Sequence, residues 1–320
     1  MKKIYTILPI SPSECFITKG FADGFRKLGY FVQEKDVREV TIEEIEKFNP
    51  EFIFGYNYSY LINKKLSESL INNNKYKFIH YFGSEPDSKF AYEDRPELLD
   101  LIKQTNANIF VWDSKCLNEI EGSIYLPLGV NPKQYKTTFN GYQHKISFVG
   151  RPQTQKRQEI IVQLIKNFGP ISLFCNRDNF EKSLNEMLQQ NLFNSEELEW
   201  YKESYKGYLK TPEELSEVYN SSKININVTE KGKDNINYRV FEVLASSAFL
   251  LTDETPDLYR HFEVGKELEV YTNIEDLVDK TRFYLKNLNF TQAIARAGRK
   301  NVVNNHSFKD RASKLLKLVK

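Results

Sequence analysis

The chain has 320 residues, of which 40% are hydrophobic and 14% aromatic, so it is long enough for two domains that each bury a core. Its 45 basic and 43 acidic residues give a net charge of +2, which argues against general nucleic-acid binding. Three widely separated cysteines, without a CxxC pair, argue against a disulfide framework and a zinc site and are typical of a reducing compartment.

The N-terminal segment KKIYTILPI predicts a first strand rather than a targeting signal. Its apolar run is only about six residues long, whereas a secretory signal needs ~7–15. No run approaches the ~18 apolar residues of a membrane span. We therefore expect a cytoplasmic protein without a transmembrane segment, and peripheral association with a membrane stays open.

The first half of the chain alternates strand-length apolar runs with amphipathic helical segments, which is the pattern of a parallel α/β sheet. The predicted strands are KIYTIL, YFVQEKDV, EFIFGY, KFIHYF, NIFVWD and SIYLPL. The predicted helices are ITKGFADGFRKLG, TIEEIEKF, NKKLSESLINN and PELLDLIKQT. We expect a Rossmann-like domain over residues 1–135, followed by a linker over residues 136–144, where Pro, Gly and Asn gather.

The same alternation restarts after the linker and predicts a second Rossmann-like domain over residues 145–302. Its predicted strands are KISFVG, PISLFC, KININV, AFLLT and ELEVY. Its helices include an acidic insert from Asn179 to Tyr205, the segment EVLASSA, and TPEELSEVYNSS with Thr211 as N-cap and Glu214 in a capping box. Two doubly wound α/β domains facing a cleft are the expected architecture, and ligands are expected at the carboxyl ends of the strands.

The loop FVGRPQTQKRQEII follows a predicted strand and holds three cations, Arg151, Lys156 and Arg157, near a helix N-terminus. Each cation opposes the helix dipole at a cost of about 0.3–1 kcal/mol, so the loop predicts a bound anion such as a diphosphate. The alternative is that the side chains simply point into solvent. Neither GxxxxGK[ST] nor GxGxxG occurs, which argues against a P-loop NTPase or an ordinary dinucleotide enzyme.

The segment DNINYRVFEVLASSAFLLT places Arg239 and Glu242 on one face of a largely apolar helix. They are either a surface ion pair worth ~0.2–0.5 kcal/mol or part of a site that also includes Asp234. Asn237 opens this helix, where free backbone N–H groups can bind phosphate oxygens. The residues alone leave both interpretations open.

The segment KFIHYFGSEPDSKF ends another predicted strand with His80, Glu85 and Asp87. A histidine in an aromatic strand is more often a core residue than a catalytic one. The two carboxylates resemble a loose metal pair, but loop carboxylates are commonly turn formers. Since no His or Cys partners accompany them at ligand spacing, we expect no metal.

Five separated segments of the second half together resemble a known family. They are KISFVGRPQTQKR, TPEELSEVYNSSKININV, NYRVFEVLASSAFLLTD, HFEVGKELEVYTNIEDLVDKTRFYLKN and AIARAGRKNVVNNHSFKDRASKLL. Their order resembles the carboxyl-terminal domain of GT-B glycosyltransferases, and in particular the group that includes CgeB. The first ~135 residues share only the strand–helix style of the acceptor domains in this fold.

The resemblance implies roles for individual residues. The family's acid-x7-Glu motif corresponds to Asp234 and Glu242, with Glu242 on the ribose and Asp234 facing the donor sugar. Its basic pair, which neutralises the diphosphate, corresponds to Arg151 with Lys156 or Arg157. The remaining implied site residues are Asn237, Tyr238 and Arg239 on the donor side and His80, Glu85 and Asp87 on the catalytic side. Ser247 departs from the family, which commonly has Gly there.

The function implied by this resemblance is that of a metal-independent, retaining glycosyltransferase of the hexosyltransferase type. It would use a nucleoside diphosphate sugar, most simply a UDP-sugar, and no cofactor. The acceptor would be a glycan, a lipid-linked glycan or a protein. The fold also implies that the final helix, residues 303–320, packs back on the first domain. The alternatives are a nucleotide-sugar epimerase of the same fold and a non-catalytic sugar-nucleotide or glycan binding module.

Overall fold

The structure is a computed structural model that describes residues 2–57, 66, 76–83, 102, 107–229 and 234–319. The chain forms two compact units. The first unit comprises Met1–Gly129, Asp234–Ile236 and His306–Lys320, and the second comprises Val130–Lys233 and Asn237–Asn305. The predicted helices NKKLSESLINN and PELLDLIKQT lie largely outside the described residues.

The first unit contains a six-stranded sheet in the order β2-β1-β3-β4-β5-β6, and all neighbouring strands are parallel. The strands are β1 (Lys3–Leu8), β2 (Phe31–Asp36), β3 (Phe52–Tyr56), β4 (Lys77–Phe82), β5 (Asn108–Val111) and β6 (Ile124–Tyr125). Two of its described helices are α1 (Pro12–Lys27) and α2 (Ile42–Phe48).

The second unit repeats this plan with six parallel strands in the order β12-β11-β10-β7-β8-β9. They are β7 (His144–Val149), β8 (Ser172–Phe174), β9 (Tyr205–Gly207), β10 (Ser222–Asn227), β11 (Leu250–Asp253) and β12 (Glu269–Tyr271). The described helices are α3 (Gln155–Phe168), α4 (Arg177–Gln189), α5 (Ser195–Ser204), α6 (Pro212–Ser221), α7 (Tyr238–Ala245), α8 (Leu258–His261), α9 (Ile274–Lys286) and α10 (Leu288–Asn305). Two parallel α/β sheets confirm the predicted fold class.

Helix α6 begins as the sequence predicts. Thr211 accepts a hydrogen bond from the backbone N–H of Glu214 at 3.2 Å, and the Glu214 carboxylate accepts one in return from the backbone N–H of Thr211 at 3.2 Å. This reciprocal capping satisfies amide groups that the first helical turn leaves open.

The acidic insert is helical, as predicted. It contains two helices, α4 and α5, and Asn191 between them has a left-handed φ of 51°. Asn194 then starts α5 with a capping box. The edge strand β9 follows at once, and its three residues are too short to show strand periodicity in the sequence.

Helix α7 begins at Tyr238, directly after Asn237, as predicted, and it ends at Ala245, three residues before the end of the predicted EVLASSA segment. It ends in a Schellman motif, because Ser247 N–H donates to Leu244 O and Ala248 N–H donates to Val243 O. Ser247 has a φ of 58°, a left-handed conformation that glycine adopts without strain. A serine in this conformation lowers the free energy of unfolding by about 1 kcal/mol relative to an unstrained residue.

Helix α11 (Phe308–Leu318) packs on α1 within the first unit. The Phe308 and Phe21 rings lie 5.3 Å apart between centroids, and Arg311 Nε donates to Leu128 O at 3.0 Å. Gly20 and Gly24 make this close approach possible, because a Cβ at either residue would collide with Phe308. No helix within the described ranges is long and apolar enough to cross a membrane.

We predict that Gly24→Ala destabilises the protein, although alanine normally favours a helix by about 1 kcal/mol over glycine. The added Cβ would lie 2.5 Å from the carbonyl oxygen of Phe308, so α1 and α11 must separate. The expected loss in the free energy of unfolding is roughly 1–3 kcal/mol, measured by urea denaturation. Lys19→Ala, at an exposed position of the same helix, is the matched control and should change little. A Gly24→Ala protein as stable as the parent would contradict the tight contact.

Candidate functional site

The carboxyl ends of β7, β10 and β11 meet at one edge of the second sheet, because these three strands are adjacent and parallel. Open parallel sheets bind their ligands at this edge. We call it the carboxyl edge. Most of the predicted donor-side residues follow these strands in the chain, so the structure brings them to this edge.

A buried carboxylate, Asp253 at the end of β11, is the most densely bonded group at the carboxyl edge. Its two oxygens accept hydrogen bonds from the backbone N–H of Thr229, at 2.8 and 2.9 Å. One of them also accepts from Lys156 Nζ at 2.5 Å. Only 3% of Asp253 is exposed, so these hydrogen bonds and the ion pair offset the free-energy cost of burying its charge. Asp253 was not among the predicted site residues; the signal that could have found it is an acid that ends a strongly apolar strand.

Arg157 is likewise bonded within the chain. Its Nε and Nη2 donate to the carbonyl oxygen of Val228 at 3.4 and 3.3 Å, and its Nη1 donates to Arg151 O at 3.2 Å. It therefore ties the loop before α3 to the end of β10. By contrast, the Arg151 side chain is exposed and forms no ion pair with the part of the chain that the structure describes.

These contacts correct part of the electrostatic argument made from the sequence. The anion that compensates Lys156 near the α3 N-terminus is Asp253, a residue of the chain itself. Lys156 and Arg157 thus have internal partners, and their predicted contact with a diphosphate stays a prediction. Arg151 is the cation of this loop whose charge faces solvent.

Arg239 lies against Gly150, the glycine that directly follows β7. Its Nη1 is 3.1 Å from the point that a Cβ of Gly150 would occupy, so a side chain there would displace the guanidinium. Gly150 also has a φ of 150°, which L-residues rarely adopt. The Arg239 Nε is buried and has no hydrogen-bond partner among the described residues, and its distance to Glu242 Oε2 is 3.9 Å. At that distance the ion pair is weak, and the donor on Nε is left unused.

Glu242 is buried, with 7% of the residue exposed, and is surrounded by tyrosines. Its Oε1 accepts a hydrogen bond from the hydroxyl of Tyr135 at 2.9 Å, and Tyr219 also borders the carboxylate. Burial raises the pKa of Glu242, against the opposing effects of the Arg239 charge and the tyrosine hydroxyls. The residue is therefore not a solvent-exposed partner of Arg239. Tyr135 and Tyr219 could not be found from the sequence, since they are more than 20 residues away from Glu242 in the chain.

The N-terminus of α7 is not capped by a side chain. Asn237 occupies the N-cap position, but its Nδ2 donates to Asn227 Oδ1 at 3.0 Å, and its buried Oδ1 has no partner in the described part of the chain. Tyr238 follows, with its hydroxyl beside Tyr135 and Glu242. The first amide groups of α7 thus keep the capacity to bind an anion at the carboxyl edge.

Asp234 is half-buried and belongs to the first unit, in a short segment that begins after residues 230–233, which lie outside the described part. Its neighbour Asn235 anchors this segment, because its Nδ2 donates to Asp113 Oδ2 at 2.9 Å. The acid-x7-Glu spacing of Asp234 and Glu242 is a feature of the sequence alone, and the role of Asp234 stays a prediction.

His80 lies within β4 and is fully buried, with its ring 4.3 Å from that of Phe82. Burial lowers its pKa to about 3, so the imidazole is uncharged at neutral pH. Glu85 and Asp87 lie outside the described residues. The catalytic roles predicted for these three residues stay predictions. Within the described ranges, no three His, Cys, Asp or Glu side chains come together as a metal site.

The first unit has its own polar group at the carboxyl ends of β3 and β4. Asn57 has a left-handed φ of 49°, and its backbone N–H donates to Tyr81 O at 2.9 Å. Its side chain accepts from Gly83 N–H at 2.9 Å and donates to Glu14 Oε1. Burial raises the pKa of Glu14. Asn57 therefore holds a half-buried carboxylate at this edge of the first sheet.

Comparisons with known proteins bear on both units. Residues 157–317 match a family model described as glycosyl transferase-like. Sucrose-phosphate synthase from Thermosynechococcus elongatus superposes with a TM-score of 0.72 at 13% identity, over 99% of this chain and 98% of that one. A glycosyltransferase from Rickettsia africae superposes with a TM-score of 0.68 at 14% identity, over 100% of this chain and 98% of that one. Anabaena HepE, solved with UDP, gives 0.65 at 10% identity, over 99% of each.

At these identities the structural neighbours show the fold, which is GT-B as the sequence resemblance implied. Among curated protein sequences there is no significant match.

We predict that Lys156→Met lowers the free energy of unfolding by roughly 1–3 kcal/mol, because Asp253 would keep a buried charge without its cation. Methionine preserves much of the lysine stem, so lost packing contributes little. Arg151→Met is the matched control: it removes an exposed charge of the same loop and should change stability by less than about 0.5 kcal/mol. Equal effects of the two variants in urea denaturation would show that the Lys156–Asp253 pair is not structural.

We predict that Glu242→Gln stabilises the protein at neutral pH. The folded-state pKa of Glu242 is raised above its ordinary 4.5, so its unfavourable contribution grows as the pH rises through that range and vanishes below it. The difference in unfolding free energy between variant and parent should therefore be small near about pH 4 and favour the variant at about pH 7. Glu217→Gln, at an exposed glutamate of α6, should show no such pH dependence. A Gln variant that is less stable at neutral pH would identify Glu242 as a structural carboxylate.

Proposed function

This chain belongs to the glycosyl transferase-like family, and from that premise we propose that it transfers a hexosyl group from a nucleoside diphosphate sugar to an acceptor. It is a glycosyltransferase of GT-B fold. The observation that carries the proposal is the family match over residues 157–317, which contains the carboxyl ends of β10 and β11 and the N-terminus of α7 in the second unit. The donor would bind at that edge.

UDP is the nucleotide that we propose for the donor. The Anabaena HepE structures contain UDP and UDP-glucose, and that protein shares this fold over 99% of both chains. The carboxyl edge supports a diphosphate because it combines the exposed Arg151, the open Nε of Arg239 and the uncapped amide groups of α7. Arginine is well suited to phosphate oxygens, since its donors are fixed in one plane.

The proposed mechanism relies on stabilisation of the leaving group. When the bond between the sugar and the diphosphate breaks, negative charge develops on the diphosphate oxygens. Arg151, Arg239 and the N-terminal amides of α7 are fixed donors that would stabilise this charge as it forms. This chemistry requires neither a metal ion nor a cofactor, and we propose that the enzyme works without them.

The two acids would orient the donor. Glu242 is held by Tyr135 through one oxygen, which leaves the other, Oε2, for the ribose hydroxyls. Asp234 would face the sugar, as the acid-x7-Glu spacing implies. We propose a retaining reaction, and a carbohydrate, lipid-linked glycan or protein as the acceptor.

The first test is nucleotide binding. UDP should raise the melting temperature of the parent protein, because a ligand that binds the folded state stabilises it. Arg239→Gln should weaken UDP binding by roughly 10- to 100-fold, since a charge-assisted hydrogen bond contributes about 1.5–3 kcal/mol. The change is measured by isothermal titration calorimetry on variants whose circular dichroism matches the parent.

The control for this test is Arg177→Gln, which removes an exposed arginine of α4 that pairs with Glu181 on the same helix. It should bind UDP as the parent does. Release of UDP from a panel of UDP-sugars, with and without acceptor glycans, then tests transfer. If no nucleoside diphosphate or its sugar shifts the melting temperature, the proposed donor chemistry is wrong.

A further inference from the structure

A pocket of about 190 Å³ lies at the opposite end of the second sheet from the carboxyl edge. Its walls come from the start of β10, the turn before β11, helix α10 and the segment after Tyr135. The strands are parallel, so their starts and ends lie at opposite edges. Six residues of β10 span roughly 17 Å at about 3.3 Å per residue, so this pocket is separate from the proposed donor site.

Two cations line this pocket, Lys223 on β10 and Arg296 on α10. Lys223 is half-buried and Arg296 is exposed. Neither forms an ion pair with any part of the chain that the structure describes. Two cations without a carboxylate partner among the described residues give the pocket a positive potential, which favours an anionic group.

Ser247 also lines the pocket, and its backbone holds a left-handed conformation at a position where glycine would be relaxed. The left-handed backbone belongs to the Schellman end of α7, whereas the Ser247 hydroxyl makes no hydrogen bond to the described residues. The hydroxyl offers both a donor and an acceptor to a bound group.

One wall of the pocket is aromatic. The rings of Phe139 and Tyr142 lie 4.8 Å apart between centroids, at an interplanar angle of 65°, and half of Phe139 is exposed. Gln292 Nε2 donates to the Tyr142 hydroxyl at 3.3 Å, which holds that ring in place. An apolar face beside a few directed polar groups is the usual composition of a site for an amphipathic small molecule.

We propose that this pocket binds an anionic sugar unit, a pyranose that carries a phosphate or a carboxylate. Lys223 and Arg296 bind the charged group, the Phe139–Tyr142 pair packs against the apolar face of the ring, and the Ser247 hydroxyl bonds a ring hydroxyl. This would be a second ligand site in the second unit, and the proposal does not depend on the proposed donor chemistry.

The probes are glucose 6-phosphate and glucuronate, which present the two anionic groups, with glucose and inorganic phosphate as controls for ring and charge alone. The full chain is titrated with each by calorimetry. At least one acidic sugar should bind at least tenfold more tightly than glucose and than inorganic phosphate. Equal affinity for inorganic phosphate would overturn the sugar part of the proposal, and absence of saturable binding by both probes would overturn it whole.

Variants then assign the binding to this pocket. Arg296→Gln should weaken the acidic sugar at least fivefold, whereas Lys300→Gln, on the same helix at an exposed position outside the pocket lining, should not. Ser247→Gly should weaken binding while it raises the melting temperature, because glycine relieves the left-handed strain. Unchanged affinity in Arg296→Gln and Ser247→Gly would contradict the site.

Binding experiments with UDP distinguish this pocket from the proposed donor site. Arg296→Gln should bind UDP with the affinity of the parent, and Arg239→Gln should bind the acidic sugar with the affinity of the parent. Competition between UDP and the acidic sugar would locate the sugar at the carboxyl edge and would overturn the proposal. Failure of UDP to bind, with the acidic sugar still bound, would contradict the donor proposal and leave this one supported.

Discussion

The buried carboxylate of Asp253 is the constraint on which the geometry of the second unit's carboxyl edge depends. It receives the backbone N–H of Thr229, which follows β10, and the ammonium of Lys156, which follows β7. A single group thus ties together the ends of three strands. Because only 3% of Asp253 is exposed, losing either partner would leave a charge in a poorly solvated position. The loops that offer donors to a ligand are consequently held by an internal ion pair before any ligand arrives.

This constraint divides the cations of the carboxyl edge into two groups. Lys156 and Arg157 bond within the chain and shape the loop, whereas Arg151 is exposed and Arg239 has an unused donor. A bound diphosphate would therefore contact Arg151 and Arg239 rather than Lys156 and Arg157. The preorganised first group allows the second to act without a large rearrangement, which is the condition under which fixed charges stabilise a transition state well.

The sequence predicted the α/β class, the described strands of both sheets other than β9, and the capping of α6 at Thr211, because each rests on local periodicity or a local hydrogen bond. It could not predict Asp253 or Tyr135 as neighbours of the site, since their partners lie 24 to 107 residues away in the chain. The dipole argument required an anion near α3 but could not show that the chain itself provides one. Strand β9 and the end of α7 were missed because three residues, or one left-handed serine, leave no periodic signal.

Helix α7 contains two residues that cost stability. In its middle, Glu242 keeps a carboxylate in a setting that raises its pKa, where an uncharged residue would be more stable. At its end, Ser247 occupies a position that suits glycine. A helix selected for stability alone would have neither residue. Since α7 joins the parallel strands β10 and β11, it runs from the carboxyl edge toward the opposite edge of the sheet, where Ser247 lines the pocket that we propose as a second site. Local rules of stability fail in this helix at the two places where binding would be expected to override them.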